Sequence, residues 1–259
     1  MNNTPSREAR VGAQDKTRSV YFFGTCVVDL FFPEAGLAGI ELLRREGVEV
    51  VFPRGQTCCG QPAFNCGHEA DARAVARAQI ALFPRDLPVV VPSGSCAGMM
   101  KGHYPELFRG EPDEAAACAF AGRVAELTQY LVNVLGVKLT DRGEPVTVTW
   151  HSSCHGLREV GLDAEPKALL AQLGNVRLAP LERERECCGF GGTFSVRYPD
   201  ISTAMVQDKA ADVSRSGAAL VLSADAACLL NIGGALAKSG AAARPMHLAA
   251  FVWERTRER

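Results

Sequence analysis

The sequence predicts an α/β protein of two similar halves, each a small parallel sheet flanked by helices, and three observations carry that prediction. Short β-branched and aromatic runs alternate with helical stretches along the chain, the pattern of strand–helix–strand units whose strands run parallel. A Cys-Cys-Gly core occurs twice, at Cys58-Cys59-Gly60 and at Cys187-Cys188-Gly189. Around each core a leading and a trailing cysteine repeat the same layout: Cys26 and Cys154, Cys58 and Cys187, Cys59 and Cys188, and Cys96 and Cys228 lie 128, 129, 129 and 132 residues apart. A constant offset of about half the chain marks an internal duplication.

The run SVYFFGT opens the first half as a strand and delivers Cys26 just past its end. The stretch LAGIELLRREG follows as a helix closed by Gly47, and VEVVFP as the second strand, with Cys58 and Cys59 in the loop behind it. A helix over HEADARAVARAQIALF leads to the strand LPVVVP and to Cys96 in the turn beyond. One long helical connection, DEAAACAFAGRVAELTQYLVNVLG, joins the halves. The order then begins again with strand VTVTW and Cys154, helix PKALLAQLG, strand VRLAP and the Cys187-Cys188 loop. Helix ISTAMVQDKAADVSRSG, strand AALVLS with Cys228, and a closing helix LLNIGGALAKSG complete the second unit. This pattern divides the chain into a loose polar tail over 1–18, a first cysteine-rich domain over 19–140 and a second over 141–259. Ligands of open parallel sheets gather outside the carboxyl ends of the strands. All eight repeated cysteines fall there, so three loops of each half are expected to converge on one point.

Composition narrows the function classes. Hydrophobic residues make up 47% of the chain, and 28 basic residues balance 29 acidic ones, without the charge excess of a nucleic-acid binder. The first eighteen residues contain no apolar core of a signal peptide. No apolar run approaches the roughly 20 residues of a membrane span. The expected location is the cytoplasm, where thiols stay reduced and ten cysteines read as ligands or redox groups rather than structural disulfides.

Four thiolates from three loops satisfy either a [4Fe–4S] cluster or a tetrahedral zinc ion. Adjacent cysteines on a Gly-bearing turn can reach two irons of one cluster, whereas zinc sites usually space paired ligands by two to four residues. Gly189, Gly191 and Gly192 leave backbone N–H groups free to approach the sulfurs of the second site. His151 and His155 flank Cys154, where a ring N–H has a cluster sulfur or a strand-end backbone group as its partner.

The paired Cys-Cys-Gly layout resembles the cysteine-rich CCG domain family, found in the cysteine-rich subunit of heterodisulfide reductase, in the iron–sulfur subunit of glycolate oxidase and in anaerobic glycerol-3-phosphate dehydrogenase. The phrases YFFGTCVVDLFFPEAG, CCGQPAFNCG, PSGSCAGMM, HSSCHGLRE, CCGFGGTFSVRYPDIS and LLNIGG resemble the small iron–sulfur subunits of three-protein L-lactate-oxidising complexes. The resemblance implies two CCG domains related by a pseudo-twofold axis, cluster binding and electron transfer beside two partner subunits as L-lactate becomes pyruvate. No catalytic residue is expected in the chain, which reads as a non-catalytic or co-catalytic subunit. In the heterodisulfide reductase relative each unit ends in a C-x-x-C pair; here the matching fifth positions hold Met99 and Asn231, poor substitutes for a thiolate. The expectation is therefore two [4Fe–4S] clusters, one on Cys26, Cys58, Cys59 and Cys96 and one on Cys154, Cys187, Cys188 and Cys228, with zinc open at one site.

The rival readings are a catalytic subunit acting on a thiol, disulfide or 2-hydroxy acid at an open iron, and a structural zinc protein. Cys66 and Cys118 have no repeat counterpart and read as small buried apolar residues. The run Glu182-Arg183-Glu184-Arg185-Glu186 reads as an exposed loop of mixed charge.

Overall fold

A computed structural model describes residues 18–258. The expected tail over 1–18 thus lies outside the described residues, except for Arg18. Each half holds a four-stranded, all-parallel sheet. In the first, β1 (Ser19–Phe22), β2 (Glu49–Val51), β3 (Val89–Val91) and β4 (Val124–Glu126) are ordered β2-β1-β3-β4. In the second, β5 (Val146–Trp150), β6 (Val176–Ala179), β7 (Leu220–Ser223) and β8 (Arg244–His247) are ordered β6-β5-β7-β8. The register is set by pairs such as Ser19↔Glu49 and Tyr21↔Val89 in one sheet and Val146↔Val176 and Val148↔Leu220 in the other. Both sheets reverse strand order between their first and third strands, so a switch point opens at the carboxyl ends of β1 and β3, and again at those of β5 and β7.

The period of two along each strand divides the core. Val20 and Phe22 of β1, Val90 of β3, Val148 and Trp150 of β5 and Leu222 of β7 face one apolar core shared by the two halves. Tyr21, Phe23, Val89 and Val91 face an outer core completed by Phe83, Tyr104 and Phe120. Val221 faces its counterpart, with Val206, Val213 and Ile232. The helix Leu248–Thr256 at the chain's end belongs to the shared core and packs on Pro33–Arg45 of the first half.

Three elements differ from the sequence expectation. The long helical connection is broken into a helix (Glu114–Arg123), β4, a short helix (Leu127–Gln129) and a π-helical turn (Tyr130–Leu135). Val124-Ala125-Glu126 has helix-forming neighbours, yet it pairs with β3 because an unpaired sheet edge is available, a tertiary gain that overrides weak local propensity. The second unit continues past its expected closing helix into β8 and Leu248–Thr256. Pro245 obscures β8, and an edge strand is where proline is tolerated. Finally, Cys96 and Cys228 lie in helices, Gly94–Gly98 and Ala226–Ser239, not in turns ahead of them.

Candidate metal centre

Each unpaired cysteine of the repeat sits in the first turn of a capped helix. Cys26 and Cys154 are the first residues of Cys26–Phe31 and Cys154–Glu159; the Thr25 hydroxyl accepts from Val28 N at 3.3 Å and the Ser153 hydroxyl from Gly156 N at 3.1 Å. Cys96 and Cys228 are each the third residue of their helices; Ser93 Oγ accepts from Cys96 N at 3.3 Å, and Asp225 from Ala227 N at 3.2 Å. Helix amino ends carry partial positive charge and favour anions. Thr25 adopts φ 56°, alone among the described non-glycine residues, and this left-handed step turns the chain from β1 into the Cys26 helix.

The paired cysteines lie on loops shaped by glycine. Gly60 (φ +85°) and Gly189 (φ +83°) occupy the left-handed region, and a Cβ there would stand 3.2 Å from the Ala72 carbonyl oxygen or 2.8 Å from that of Ser202. Their amides donate back to sulfur, Gly60 N to Cys58 Sγ at 3.4 Å and Gly189 N to Cys187 Sγ at 3.3 Å. The carbonyl that follows each buried sulfur is also held: Tyr104 Oη donates to Cys59 O, and Asn231 Nδ2 to Cys188 O, both at 2.9 Å. Asn231 thus fixes the cysteine loop by its amide, while Met99 is buried in the outer core.

All eight repeated cysteines line one cavity between the halves. Their exposure repeats too: Cys59, Cys96, Cys188 and Cys228 are buried, and Cys26, Cys58, Cys154 and Cys187 are half-buried. The halves meet closely here, since a Cβ on Gly94 would stand 2.8 Å from Gly156 Cα. Ser95 N donates to Asp225 at 2.8 Å and Gly94 N to Ala224 O at 3.1 Å across the same seam.

Within each quartet one thiol is poised as the anion. A hydrogen bond from Cys26 lowers Cys58 to about 3, and one from Cys154, whose sulfur is 3.9 Å away, lowers Cys187 to about 2. The same contacts push Cys26 and Cys154 up, and Cys59 and Cys188 are pushed up by hydrogen bonding to their neighbours and by burial. Cys228 is raised on balance, because burial and the charge of Asp225 outweigh its hydrogen bond with Cys188. Such sets release their remaining protons when a cation binds.

The other predicted residues divide. His155 Nδ1 lies 3.5 Å from Cys154 Sγ, and Gly191 and Gly192 line the cavity. His151 is fully buried beside Cys188 and Cys228. One expectation needs correction. Cys118 is exposed on the helix Glu114–Arg123 because it faces away from the buried Ala117, Phe120 and Ala121. The run 182–186 is the expected loop of mixed charge, exposed except for half-buried Glu184, and its backbone is anchored: the Glu182 and Arg183 amides donate to the buried Asp212, Lys209 Nζ bonds the Arg183 carbonyl, and Glu184 accepts from Ser152 Oγ at 2.9 Å. Cys66 is half-buried, with Sγ 2.7 Å from Thr193 Oγ1 of the second half.

The donor set fits thiophilic metal or iron–sulfur binding: eight sulfurs at one cavity, two with amide donors, four at helix amino ends. Tyr104 and the seam between the helices of Cys96 and Cys154 were missed by sequence reasoning, for no periodicity marks a contact across the duplication.

The chain is similar to known proteins. The sequence profile of the cysteine-rich CCG domain matches the chain twice, over residues 20–101 and 148–233. Lactate utilization protein A of an Exiguobacterium species is 44% identical over 234 residues, spanning 89% of this chain and 95% of the relative. That of Geobacillus thermodenitrificans is 44% identical over 231 residues (89% and 96%), and that of Halalkalibacterium halodurans 43% over 242 residues (92% and 99%). Among solved structures, a periplasmic solute-binding protein of Actinobacillus succinogenes with bound D-allose aligns at 11% identity over 90% of this chain and 77% of the other, with a TM-score of 0.32.

Proposed function

The chain belongs to the cysteine-rich CCG domain family, beside relatives called lactate utilization protein A, and from that premise we propose that it is an iron–sulfur electron-transfer subunit of a complex oxidising L-lactate to pyruvate. The observation that carries this reading is the cavity lined by eight cysteines in two matching quartets. We assign one [4Fe–4S] cluster to Cys26, Cys58, Cys59 and Cys96 and one to Cys154, Cys187, Cys188 and Cys228. Clusters held there supply one-electron redox chemistry.

The chain's own residues tune such a site. Helix amino ends at Cys26, Cys96, Cys154 and Cys228 offset the negative charge of thiolate-bound iron. The Gly60 and Gly189 amides take charge from the Cys58 and Cys187 sulfurs, which makes reduction easier. Cys59, Cys96, Cys188 and Cys228 keep water from the inner side, and the half-buried quartet members form the side a partner can approach. Exposed Leu30, Phe31 and Phe52 near Cys26, and Val196, Tyr198 and Ile201 beyond the second loop, suit docking of the two other lactate-utilisation subunits. Among the described residues no helix is long and apolar enough to cross a membrane. Ten free cysteines accord with a cytoplasmic location.

The test is iron, zinc and acid-labile sulfide analysis of anaerobically purified protein. Two clusters give about eight irons and eight sulfides per chain, and a Cys26→Ser/Cys96→Ser or a Cys154→Ser/Cys228→Ser variant gives about four. Zinc with little sulfide at either quartet would make that half structural. Unchanged lactate-dependent respiration after deletion from the host would remove the lactate assignment.

A further inference from the structure

The halves match cysteine for cysteine, but the residue that leads into them differs. One position past the first strand of each half, and three before its leading cysteine, stands Phe23 in the first half and His151 in the second. Both are fully buried. Phe23 packs in the outer core with its ring 6.0 Å from that of Phe83. His151 has no such apolar employment, and neither of its ring nitrogens has a hydrogen-bond partner. A buried imidazole with two idle nitrogens bears the full desolvation cost of its polar atoms.

One His151 nitrogen and the sulfurs of Cys188 and Cys228 all lie within 4.8 Å of one another, and no other three metal-ligating side chains converge this tightly among the described residues. Nitrogen and sulfur ligands sharing one tetrahedral metal atom stand about 3.5–3.8 Å apart. A small inward movement of the trio closes that gap. Cys187 is near enough to hydrogen-bond Cys188 and for its charge to act on His151 and Cys228. The Glu184 carbonyl flanks the ring without forming a well-aligned hydrogen bond. A backbone carbonyl of this kind can take the N–H of the nitrogen that does not bind metal, the arrangement that orients metal-bound histidines.

We propose that the second half holds a single thiophilic divalent cation of the zinc class on His151, Cys187, Cys188 and Cys228 more tightly than the first half, whose four thiols converge less closely and which has Phe23 in place of the histidine. The inference builds on the reading that the second quartet is a metal site. Its consequence is that zinc competes with cluster assembly at the second site first.

The experiment is a titration of the metal-free, reduced full chain with Co2+ and then Zn2+ under anaerobic conditions. The expected result is about one tightly bound Co2+ per chain, with the absorption of a tetrahedral site of three thiolates and one nitrogen, displaced by an equimolar amount of Zn2+. His151→Phe weakens that site at least ten-fold. His151→Cys restores tight binding with the stronger charge-transfer band of four thiolates, and Cys26→Ser/Cys96→Ser leaves the site intact. Two equal tight sites, an all-thiolate spectrum in the unsubstituted chain, or unchanged affinity in His151→Phe would each overturn the proposal. Because no cluster is assembled in this titration, its failure leaves the iron–sulfur reading standing, and a loss of that reading is seen separately in the iron and sulfide content.

Discussion

Replacing single glycines by alanine gives a graded test of how the cysteine loops are held. Gly47, Gly60 and Gly189 share a left-handed backbone, with φ of +75°, +85° and +83°. Forcing an L-residue into that region costs about 1–2 kcal/mol, offset by about 0.4–1 kcal/mol from the lower entropy of the unfolded chain. At Gly47 nothing lies within 4 Å of the new Cβ, so Gly47→Ala should cost about 1 kcal/mol and no more. At Gly60 the Cβ meets the Ala72 carbonyl oxygen at 3.2 Å, which must yield by a few tenths of an ångström. At Gly189 it meets the Ser202 oxygen at 2.8 Å and Met205 Cβ at 3.0 Å, and Ser202 lies in the helix Pro199–Arg215 and cannot move alone. Overpacking of this kind adds about 1–3 kcal/mol, giving about 2–4 kcal/mol in all. The shift also strains two bonds that aim the loop, Gly189 N to Cys187 Sγ and Ser202 Oγ to Gly189 O at 2.8 Å. Urea unfolding of the three metal-free variants should rank Gly47→Ala, Gly60→Ala and Gly189→Ala in order of rising loss, and only the last two should release metal from the loaded protein. Equal losses for all three, or full metal retention in Gly189→Ala, would refute the reasoning.

Three further outcomes follow from buried groups. Burial pushes the Glu126 carboxyl up to about 8 while its oxygens cap the next helix turn through the Thr128 and Gln129 amides. The folded state therefore holds a proton that the unfolded chain releases near 4.5, so stability is lost as pH rises through about 8. Buried His247, lowered to about 4, and the lowered thiols of Cys58 and Cys187 act in the opposite sense; Glu126→Gln should remove the falling contribution alone, so that the variant's stability relative to the parent chain rises between about pH 4.5 and 8 in denaturation curves. Arg255 grips Asp141 through two bonds of 2.7 and 2.8 Å, with both side chains nearly enclosed, tying the last helix to the segment between the halves. Arg255→Ala strands the carboxylate and should cost about 3 kcal/mol in urea unfolding, and a loss under about 1 kcal/mol would count against a closed pair. Cys66, lowered by its bond to Thr193 and by Arg197, should react with iodoacetamide at pH 7 faster than the more exposed Cys118. Peptide mass spectrometry reads the order directly, and faster labelling of Cys118 would show that access outweighs thiolate content.

The strands that carry cysteines were legible because each is a β-branched or aromatic run bounded by turn residues: SVYF, VVV, VTVTW and LVLS keep their places. The eight ligand candidates were legible from the duplication alone. β4 and β8 were not, since Val124-Ala125-Glu126 and Arg244-Pro245-Met246-His247 have no strand signature and exist because a sheet edge pairs with them. The convergence of both quartets on one cavity was equally hidden, because it depends on Gly94 and Gly156 permitting two helices to touch, and glycine in a sequence does not announce its partner.

The positions where the halves disagree carry the more specific argument. Residues that repeat in kind repeat in geometry: Cys26 with Cys154, Cys96 with Cys228, Gly60 with Gly189. Those that do not repeat lie beside the sulfurs: Phe23 against His151, Ser93 against Asp225, Met99 against Asn231. These three changes each place a more polar residue beside the second set of sulfurs, while Gln61 against Phe190 and Ser95 against Ala227 run the other way, and the thiol frame stays in place. Asp225 adds a carboxylate whose charge pushes Cys228 up, and buried Lys209 adds a cation close enough to act on Cys187 and Cys188. An apolar surround disfavours added negative charge on bound metal, whereas nearby dipoles and cations accept it. On the proposed assignment of one cluster to each quartet, two clusters held by the same four sulfurs each would differ in reduction potential, and a duplicated protein with unequal sites can set a direction for electron flow that two equal sites could not.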